Sequence, residues 1–247
     1  MSASLQARNL TAHFDDLHAF GPVSFTIQAG QFVSIVGPSG CGKSTLIRAF
    51  AGLQRPSSGA AYIDGQPVEG PSPLVGLMFQ SANLMPWRSV LDNIALPLEL
   101  AGVGPGQRQE SARALLPMLG LEGFETAYPG ALSGGMAQRV ALGRVLIGQP
   151  AVLLLDEPFG ALDALTREQI SMDLLRMWSQ ERQTAVMVTH DINEAVLLSD
   201  RVLVMSRRPG RILADIPVDL PRPRDLDMIY DPAFARLAKA VRSAING

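Results

Sequence analysis

Residues 37–45 read GPSGCGKST and form a pattern suited to holding phosphate. Glycines let successive backbone N–H groups converge on phosphate oxygens without a Cβ in the way, and a helix that follows adds the positive end of its dipole. The match to G-x-x-x-x-G-K-[ST] predicts that Lys43 reaches the β- and γ-phosphates and that the Ser44 hydroxyl binds Mg²⁺. We call residues 37–45 the phosphate loop; its members are Gly37, Pro38, Ser39, Gly40, Cys41, Gly42, Lys43, Ser44 and Thr45.

Two carboxylates end the apolar run AVLLLDE at residues 151–157. Such a run is typical of a parallel strand covered on both faces, where a carboxylate is costly unless it serves a metal. Asp156 is therefore expected to hold Mg²⁺ through Ser44 or through water. Glu157 follows it and is expected to polarise a water molecule against the γ-phosphate as general base. The alternative is an acidic pair that only caps the strand.

A second stretch prepared for an anion reads LSGGMAQR at residues 132–139, which we call the signature segment. Ser133 and the free N–H groups of Gly134 and Gly135 precede a predicted helix, whose positive end attracts anions. Ser133 could equally be an N-cap, with the glycines serving close packing. Taken alone, the segment favours the N-cap hypothesis; together with the other motifs of the chain it favours anion binding.

Strand patterns alternate with helical patterns along the chain and would position these groups. Strands are predicted at residues 31–37, 73–79, 151–157, 184–189 and 201–206. This order predicts an α/β fold with its chemistry at the carboxyl ends of parallel strands. Helical patterns between Gln80 and Pro150 predict a separate lobe, broken by turns at residues 103–106 and 128–130.

The end of the chain predicts one more helix. Asp231 is its expected N-cap, and Pro232 suits the first helical position. Its apolar stripe is expected to cover the core rather than bind a partner. The stripe comprises Phe234, Leu237, Val241 and Ile245.

Length and composition allow a single large α/β domain of 247 residues. The net charge of −2 gives no reason to expect a nucleic-acid partner. The one cysteine, Cys41, suits a reducing compartment and is either a reactive thiol or a small filler. The N-terminus lacks a signal-peptide pattern and the apolar runs are short, so a soluble or peripheral protein is expected.

The segments GPSGCGKS, LSGGMAQR, LLLDEP, GALD and VTHD, in this order, resemble the ATP-binding cassette family, the nucleotide-hydrolysing subunits of ABC transporters. The resemblance covers approximately residues 5–216. It implies a P-loop NTPase (RecA-like) core with an N-terminal antiparallel β portion and an inserted α-helical subdomain. The expected division of this single 1–247 domain is a core at 1–88 and 149–215, a helical subdomain at 89–148 and a tail at 216–247.

The resemblance assigns roles to further residues and implies ATP and Mg²⁺ as ligands. Gln80 matches a glutamine that touches Mg²⁺ and links core to helical lobe, Asp163 of GALD matches a loop that crosses a dimer interface, and His190 of VTHD matches a histidine on the γ-phosphate. Phe14 is expected to stack on adenine, with His13 as the alternative. The implied catalytic residues are Glu157, His190, Lys43 and Gln80, and the implied metal ligands are Ser44, Gln80 and Asp156.

In this family two copies dock head to tail, so that Ser133, Gly134 and Gly135 of one copy close on the ATP of the other. Placing such donors on separate chains makes hydrolysis depend on dimerisation. Met136 stands where the most familiar form of the family has glutamine, although similar importer cassettes often carry methionine. Ala137 and Gly143 also depart from the commoner residues, with no effect that the sequence explains.

The apolar loop residues Leu84 to Trp87 suggest a docking surface, which in the family receives a coupling helix of the membrane permease. The alternative is a loop packed on its own lobe. The segments LMPW, GALDALTRE and SRRPGRI look like importer cassettes for nitrate, sulfonate and taurine-type solutes, with pyrimidine thiamine precursors carried by close relatives. The resemblance thus implies a peripheral ATPase subunit at the cytoplasmic face of the inner membrane, fed by a separate solute-binding protein.

Two other classes of cassette fit less well. DNA-directed members need a long coiled coil between phosphate loop and signature segment, and translation-directed members usually carry two cassettes per chain. The clusters SRRPGR and PRPR are the only hint of nucleic acid. A regulatory cassette without turnover is disfavoured by the intact Lys43, Asp156, Glu157 and His190.

Overall fold

The computed structural model describes residues 2–15, 17–160 and 162–246. The strands are β1 (Leu5–Phe14), β2 (Leu17–Ile27), β3 (Phe32–Val36), β4 (Ser58–Ile63), β5 (Gln66–Pro67), β6 (Val75–Met78), β7 (Val152–Asp156), β8 (Thr184–Thr189), β9 (Arg201–Met205) and β10 (Ile212–Pro217). The α-helices are α1 (Lys43–Phe50), α2 (Val90–Leu100), α3 (Pro105–Leu119), α4 (Gly134–Leu146), α5 (Ala164–Glu181), α6 (Ile192–Leu198) and α7 (Pro232–Asn246). Short 3₁₀ helices lie at Pro129–Ala131 and Leu226–Tyr230.

The larger sheet has the strand order β10-β9-β3-β8-β7-β6, in which β10 alone runs antiparallel to its neighbour. The central strands β3, β7 and β8 are buried along their whole length, which explains why their sequences are apolar without alternation. The predicted α/β fold is confirmed, as are the five predicted strands to within two residues at each end. Gln80 lies two residues beyond the end of β6 rather than in the strand.

A smaller antiparallel sheet, with the order β2-β1-β4-β5, is formed mainly from the N-terminal part of the chain. The core has two parts, one on each face of the larger sheet. On β3, Val33 and Ile35 belong to the part shared with α1 and the smaller sheet. Phe32 and Val36 face the part shared with the remaining helices. The period-two geometry of a strand thus lets one short segment serve both faces.

Helices α2, α3 and α4 follow one another between β6 and β7 and pack together. Gly143 on α4 lies at their closest approach. A Cβ at this position would stand 2.5 Å from Leu119 Cδ1 and 3.3 Å from Ile94 Cγ1. A side chain at this position would have to displace Leu119, so glycine allows the close approach of the three helices, which accounts for the unusual residue at position 143.

The predicted C-terminal helix is confirmed as α7, which begins at Pro232. Phe234 and Val241 are fully buried, and Leu237 and Ile245 pack against the same part of the core. The helix therefore covers the core, as its apolar stripe predicted. Among the described residues, neither this helix nor another is both long and apolar enough to cross a bilayer.

Candidate functional site

The phosphate loop follows the carboxyl end of β3 and leads into α1. Gly40 and Gly42 adopt the left-handed conformation, with φ of +75° and +99°, which a side chain would disfavour. The loop curls around the ammonium group of Lys43, which donates to the carbonyl oxygens of Gly37 at 2.7 Å and Pro38 at 3.0 Å. Cys41 is buried beneath it, as a small filler would be. The loop thus has the shape of an anion cradle, closed around its own cation.

Ser44, at the start of α1, and Asp156, at the end of β7, meet through a hydrogen bond of 2.7 Å from the hydroxyl to the carboxylate. Asp156 is buried, and this burial raises the pKa of its carboxyl group although the Ser44 hydroxyl counteracts the shift. A hydroxyl and a carboxylate are oxygen ligands that Mg²⁺ accepts, and a cation would compensate the buried charge. These two residues therefore fit the predicted metal site.

Glu157, Gln80 and His190 converge beside this pair. The Gln80 side-chain amide donates to Glu157 Oε2 at 3.0 Å, and His190 Nδ1 lies 3.6 Å from the same oxygen. Glu157 has φ of +47°, a left-handed conformation that is rare for a residue with a long side chain and that clusters at functional sites. Its backbone is held by a hydrogen bond of 2.9 Å from its N–H to Val188 O. The fold thus brings the Glu157 carboxylate next to Gln80 and His190, which follow the ends of two other strands.

An open cavity of about 370 Å³ runs along the phosphate loop. Gln80 and Glu157 line it, as do Phe14 and Leu17 from the facing ends of β1 and β2. The side chain of Phe14 remains 40% exposed. The His13 ring instead stacks on His18 with 4.0 Å between ring centroids. The structure thus places Phe14, the preferred adenine contact, in the cavity.

The signature segment borders a different cavity of about 310 Å³, which shares no lining residue with the first. Ser133 caps α4 by accepting a hydrogen bond of 3.2 Å from the N–H of Met136. A Cβ on Gly135 would lie 3.1 Å from Thr166 Cγ2, whereas one on Gly134 would meet nothing within 4 Å. The N-cap and packing hypotheses therefore account for Ser133 and Gly135, and they leave Gly134 unexplained within this chain.

Asp163 lines the cavity of the signature segment rather than that of the phosphate loop. Its side chain caps α5 by accepting a hydrogen bond of 3.1 Å from the N–H of Thr166. The Thr166 hydroxyl and, after it, this backbone hydrogen bond lower the pKa of the exposed carboxyl group. Asp163 and the signature segment thus line one cavity, and neither lines the cavity along the phosphate loop.

Helix α4 holds the loop that follows β6 through two residues that the sequence analysis did not identify. Gln138 is buried and donates to the carbonyl oxygen of Gln80 at 2.8 Å. Arg144 donates to the carbonyl oxygens of Ala82 at 2.7 Å and Asn83 at 2.8 Å. The only sequence signal was polar residues within a partly apolar helix, which does not indicate their partners.

The loop at residues 84–87 is shaped by Asn93, a third residue that was not predicted from the sequence. Asn93 is fully buried; its amide donates to three backbone carbonyls and its oxygen accepts the N–H of Met85 at 2.8 Å. Trp87 projects from the loop with 71% of its surface exposed, whereas Leu84 packs against the core. Trp87 therefore fits the hypothesis of a docking surface, whereas Leu84 fits the alternative of a loop packed on its own lobe.

Comparisons with known proteins identify relatives of this chain. The sequence profile of a family described as "ABC transporter" matches residues 20–160. The nitrate import ATP-binding protein NrtD of Synechococcus elongatus is 42% identical over 89% of this chain and 81% of its own length. The taurine import ATP-binding protein TauB of Escherichia coli K12 is also 42% identical, over 98% of this chain and 96% of its own. A dimeric ATP-binding cassette bound to ADP and Pi superposes with a TM-score of 0.79 at 32% identity, covering 88% of this chain and all of that one.

Proposed function

The chain belongs to the ABC transporter family, and from that membership we propose that it is the ATP-hydrolysing subunit of an importer. It energises uptake of a small solute through a separate membrane permease, which is supplied by a solute-binding protein. Two relatives are named as nitrate import and taurine import proteins, which supports a nitrate-, sulfonate- or taurine-like solute. A thiamine-precursor pyrimidine is the alternative. The subunit acts at the cytoplasmic face of the inner membrane as a peripheral protein.

ATP occupies the cavity along the phosphate loop, with its adenine against Phe14 and its phosphates on the loop N–H groups and Lys43. Mg²⁺, held by Ser44 and Asp156 with Gln80 nearby, would neutralise charge on the phosphate oxygens. Glu157 accepts a proton from the attacking water as it approaches the γ-phosphate. His190, which lies within 4 Å of Glu157, is placed to contact the same phosphate.

The observation that supports an ATP-bridged dimer is the separation of the two anion-ready helix starts. The phosphate loop and the signature segment border cavities without a common residue, and space beside Gly134 is open. An oxygen-binding helix start that faces away from its own ATP is useful when a second copy brings ATP to it. Two copies arranged head to tail would therefore complete two ATP sites, with Ser133, Gly134 and Gly135 of one on the γ-phosphate of the other.

Glu157→Gln tests this arrangement because it removes the general base and leaves the cavity intact. We expect the variant to bind ATP and to form a stable dimer that requires ATP, measured by light scattering after size exclusion. Adding Gly134→Asp should abolish the dimer and spare ATP binding, since a new carboxylate would face the partner's γ-phosphate. Gly106→Asp is the matched control, because a Cβ there also meets nothing within 4 Å. Failure of Glu157→Gln, without the Gly134 change, to dimerise with ATP and Mg²⁺ would refute the dimer or the role of Glu157.

Three arginines of the two basic clusters that hinted at nucleic acid make contacts within the protein. Arg208 bonds to Gly40, Arg222 pairs with Asp200 at 2.7 Å, and Arg224 is buried. Arg222 and Arg224 are therefore not free to bind phosphates of a polyanion. This supports an assembly without nucleic acid.

A further inference from the structure

The loop at residues 206–211, which connects β9 to β10, lies against the phosphate loop. Arg208 donates from Nε at 3.0 Å and from Nη2 at 2.9 Å to one acceptor, the carbonyl oxygen of Gly40. This contact leaves Nη1 outside it. Because two charge-assisted donors meet a single carbonyl, the contact constrains the direction of that carbonyl more than a neutral hydrogen bond would.

The backbone of this loop is fixed at its base by Gly210. Its N–H donates to Ala19 O at 3.1 Å, and its carbonyl accepts the N–H of Gly21 at 2.8 Å. A Cβ on Gly210 would lie 2.1 Å from the carbonyl oxygen of Cys41, so only glycine allows this approach. The Ser206 hydroxyl closes the loop by donating to Pro209 O at 3.0 Å. These contacts fix the position of the backbone next to Arg208.

Holding the Gly40 carbonyl has a consequence for the next N–H. The peptide unit is planar and trans, so the direction of the Gly40 carbonyl determines the opposite direction of the Cys41 N–H. At present that N–H donates to Pro38 O at 3.4 Å, a long hydrogen bond that a phosphate oxygen can replace. Arg208 also lines the nucleotide cavity itself, so that its charge lies at the rim.

We propose that Arg208 is a positioning residue for the nucleotide phosphates. It orients the peptide between Gly40 and Cys41 so that this N–H meets a phosphate oxygen, and it adds a positive charge at the cavity rim. The inference rests on the proposed ATP site and extends it to a residue 168 positions away from the loop that it orients. Its effect falls on nucleotides with more than one phosphate, because the phosphate loop surrounds the chain of phosphates and not the base.

Calorimetric titration of the full-length protein with ADP and with AMP tests the proposal. Arg208→Met keeps the aliphatic stem and removes every donor, and it should weaken ADP binding by about tenfold or more. Arg208→Lys keeps one charged donor and should weaken it by only about threefold. Affinity for AMP should stay constant. Arg207→Ala is the control, since Arg207 does not line the nucleotide cavity and instead lines a separate open cavity with Pro38, Ser39, Gly40 and Arg208.

The outcomes separate this inference from the proposed function. ADP affinity equal to that of the unaltered protein, in either Arg208 variant, overturns the positioning role. An equal loss of ADP and AMP affinity also overturns it, because that is the result of a distorted fold. If Arg208→Met does not fold, the affinities of Arg208→Lys for ADP and for AMP provide the same test. Failure of the unaltered protein to bind ATP or ADP would refute the proposed function, and this inference with it.

Discussion

The side-chain amide of Gln138 donates a hydrogen bond of 2.8 Å to the backbone carbonyl of Gln80. Gln80 in turn donates from its own side chain to Glu157 at 3.0 Å. Two hydrogen bonds thus join helix α4, which Ser133 caps, to Glu157, the proposed general base. A movement of α4 would change the position of Gln80, and through it the surroundings of the Glu157 carboxylate.

Gln138→Leu should leave ATP affinity unchanged and lower kcat by about tenfold, since one hydrogen bond that positions Gln80 is lost. Gln138 Oε1 is buried without a partner among the described residues, so replacing the amide should cost little stability. Steady-state ATPase rates together with urea unfolding measure both effects. Gln169→Leu is the control, because Gln169 is exposed and bonds to Asp173 on its own helix. An unchanged kcat in Gln138→Leu would exclude the coupling.

Trp87→Ser should spare ATP binding and stability and should abolish stimulation of ATPase by the permease. The reason is that the indole is exposed and apolar, as expected of a docking residue. ATPase and uptake in proteoliposomes measure the coupling of hydrolysis to transport.

Leu100→Ser is the matched control, since Leu100 is 80% exposed. Leu84→Ser should in addition lower stability, because Leu84 packs on the core. Normal uptake with Trp87→Ser would show that Trp87 is not a docking residue.

Glu194 should make stability depend on pH. Burial raises the pKa of its carboxyl group, as does Asp191, while the Thr189 hydroxyl at 2.6 Å, Arg167 and His190 lower it. Between the ordinary pKa of a glutamate and the raised pKa of Glu194, the folded protein therefore binds more protons than the unfolded chain. The free energy of unfolding falls as the pH rises through this window.

Glu194→Gln should therefore be more stable than the unaltered protein at pH 7, and the difference should shrink toward pH 4. Urea unfolding across this range gives the slope. Glu168→Gln on the exposed side of α5 is the control and should leave the slope unchanged. A slope that Glu194→Gln does not alter would contradict the assignment.

Arg224 should be a major determinant of stability. It is buried and donates to the carbonyls of Val196, Leu197 and Ser199 at the end of α6, where a cation also meets the negative end of the helix dipole. Burial lowers the pKa of Arg224 to about 10, so the side chain remains charged at neutral pH.

Arg224→Met should destabilise the protein by about 3 kcal/mol or more, because several buried carbonyls lose their donor. The free energy of unfolding in urea measures this loss. Arg242→Met, at an exposed position of α7, should change it by less than about 0.5 kcal/mol. Equal stabilities of the two variants would show that the Arg224 contacts contribute little.

Much of this protein could be predicted from short stretches of its sequence. The strands that end at Val36, Asp156 and Thr189 are recognisable because a strand covered on both faces must be apolar throughout. The phosphate loop is recognisable because its glycines and its lysine are adjacent in sequence. Helix α7 is recognisable because the apolar residues of a helix with one buried face recur about every 3.6 residues.

The remaining features depend on contacts between distant segments. Gln138 and Gln80 are 58 residues apart, and Arg208 and Gly40 are 168 apart; in both pairs the acceptor is a backbone carbonyl. Every residue carries such a carbonyl, so no residue type marks the partner. Gly143 is similarly explained only by the side chains of two other helices.

The sequence by itself therefore determined which chemical groups this protein carries and which strand or helix bears each one, because those properties are local. Only the tertiary structure decided that Ser133 and Asp163 face a cavity apart from the phosphate loop, and that Arg208 reaches Gly40. The physical reason is that direction and distance between elements arise from packing, in which every contact depends on the others.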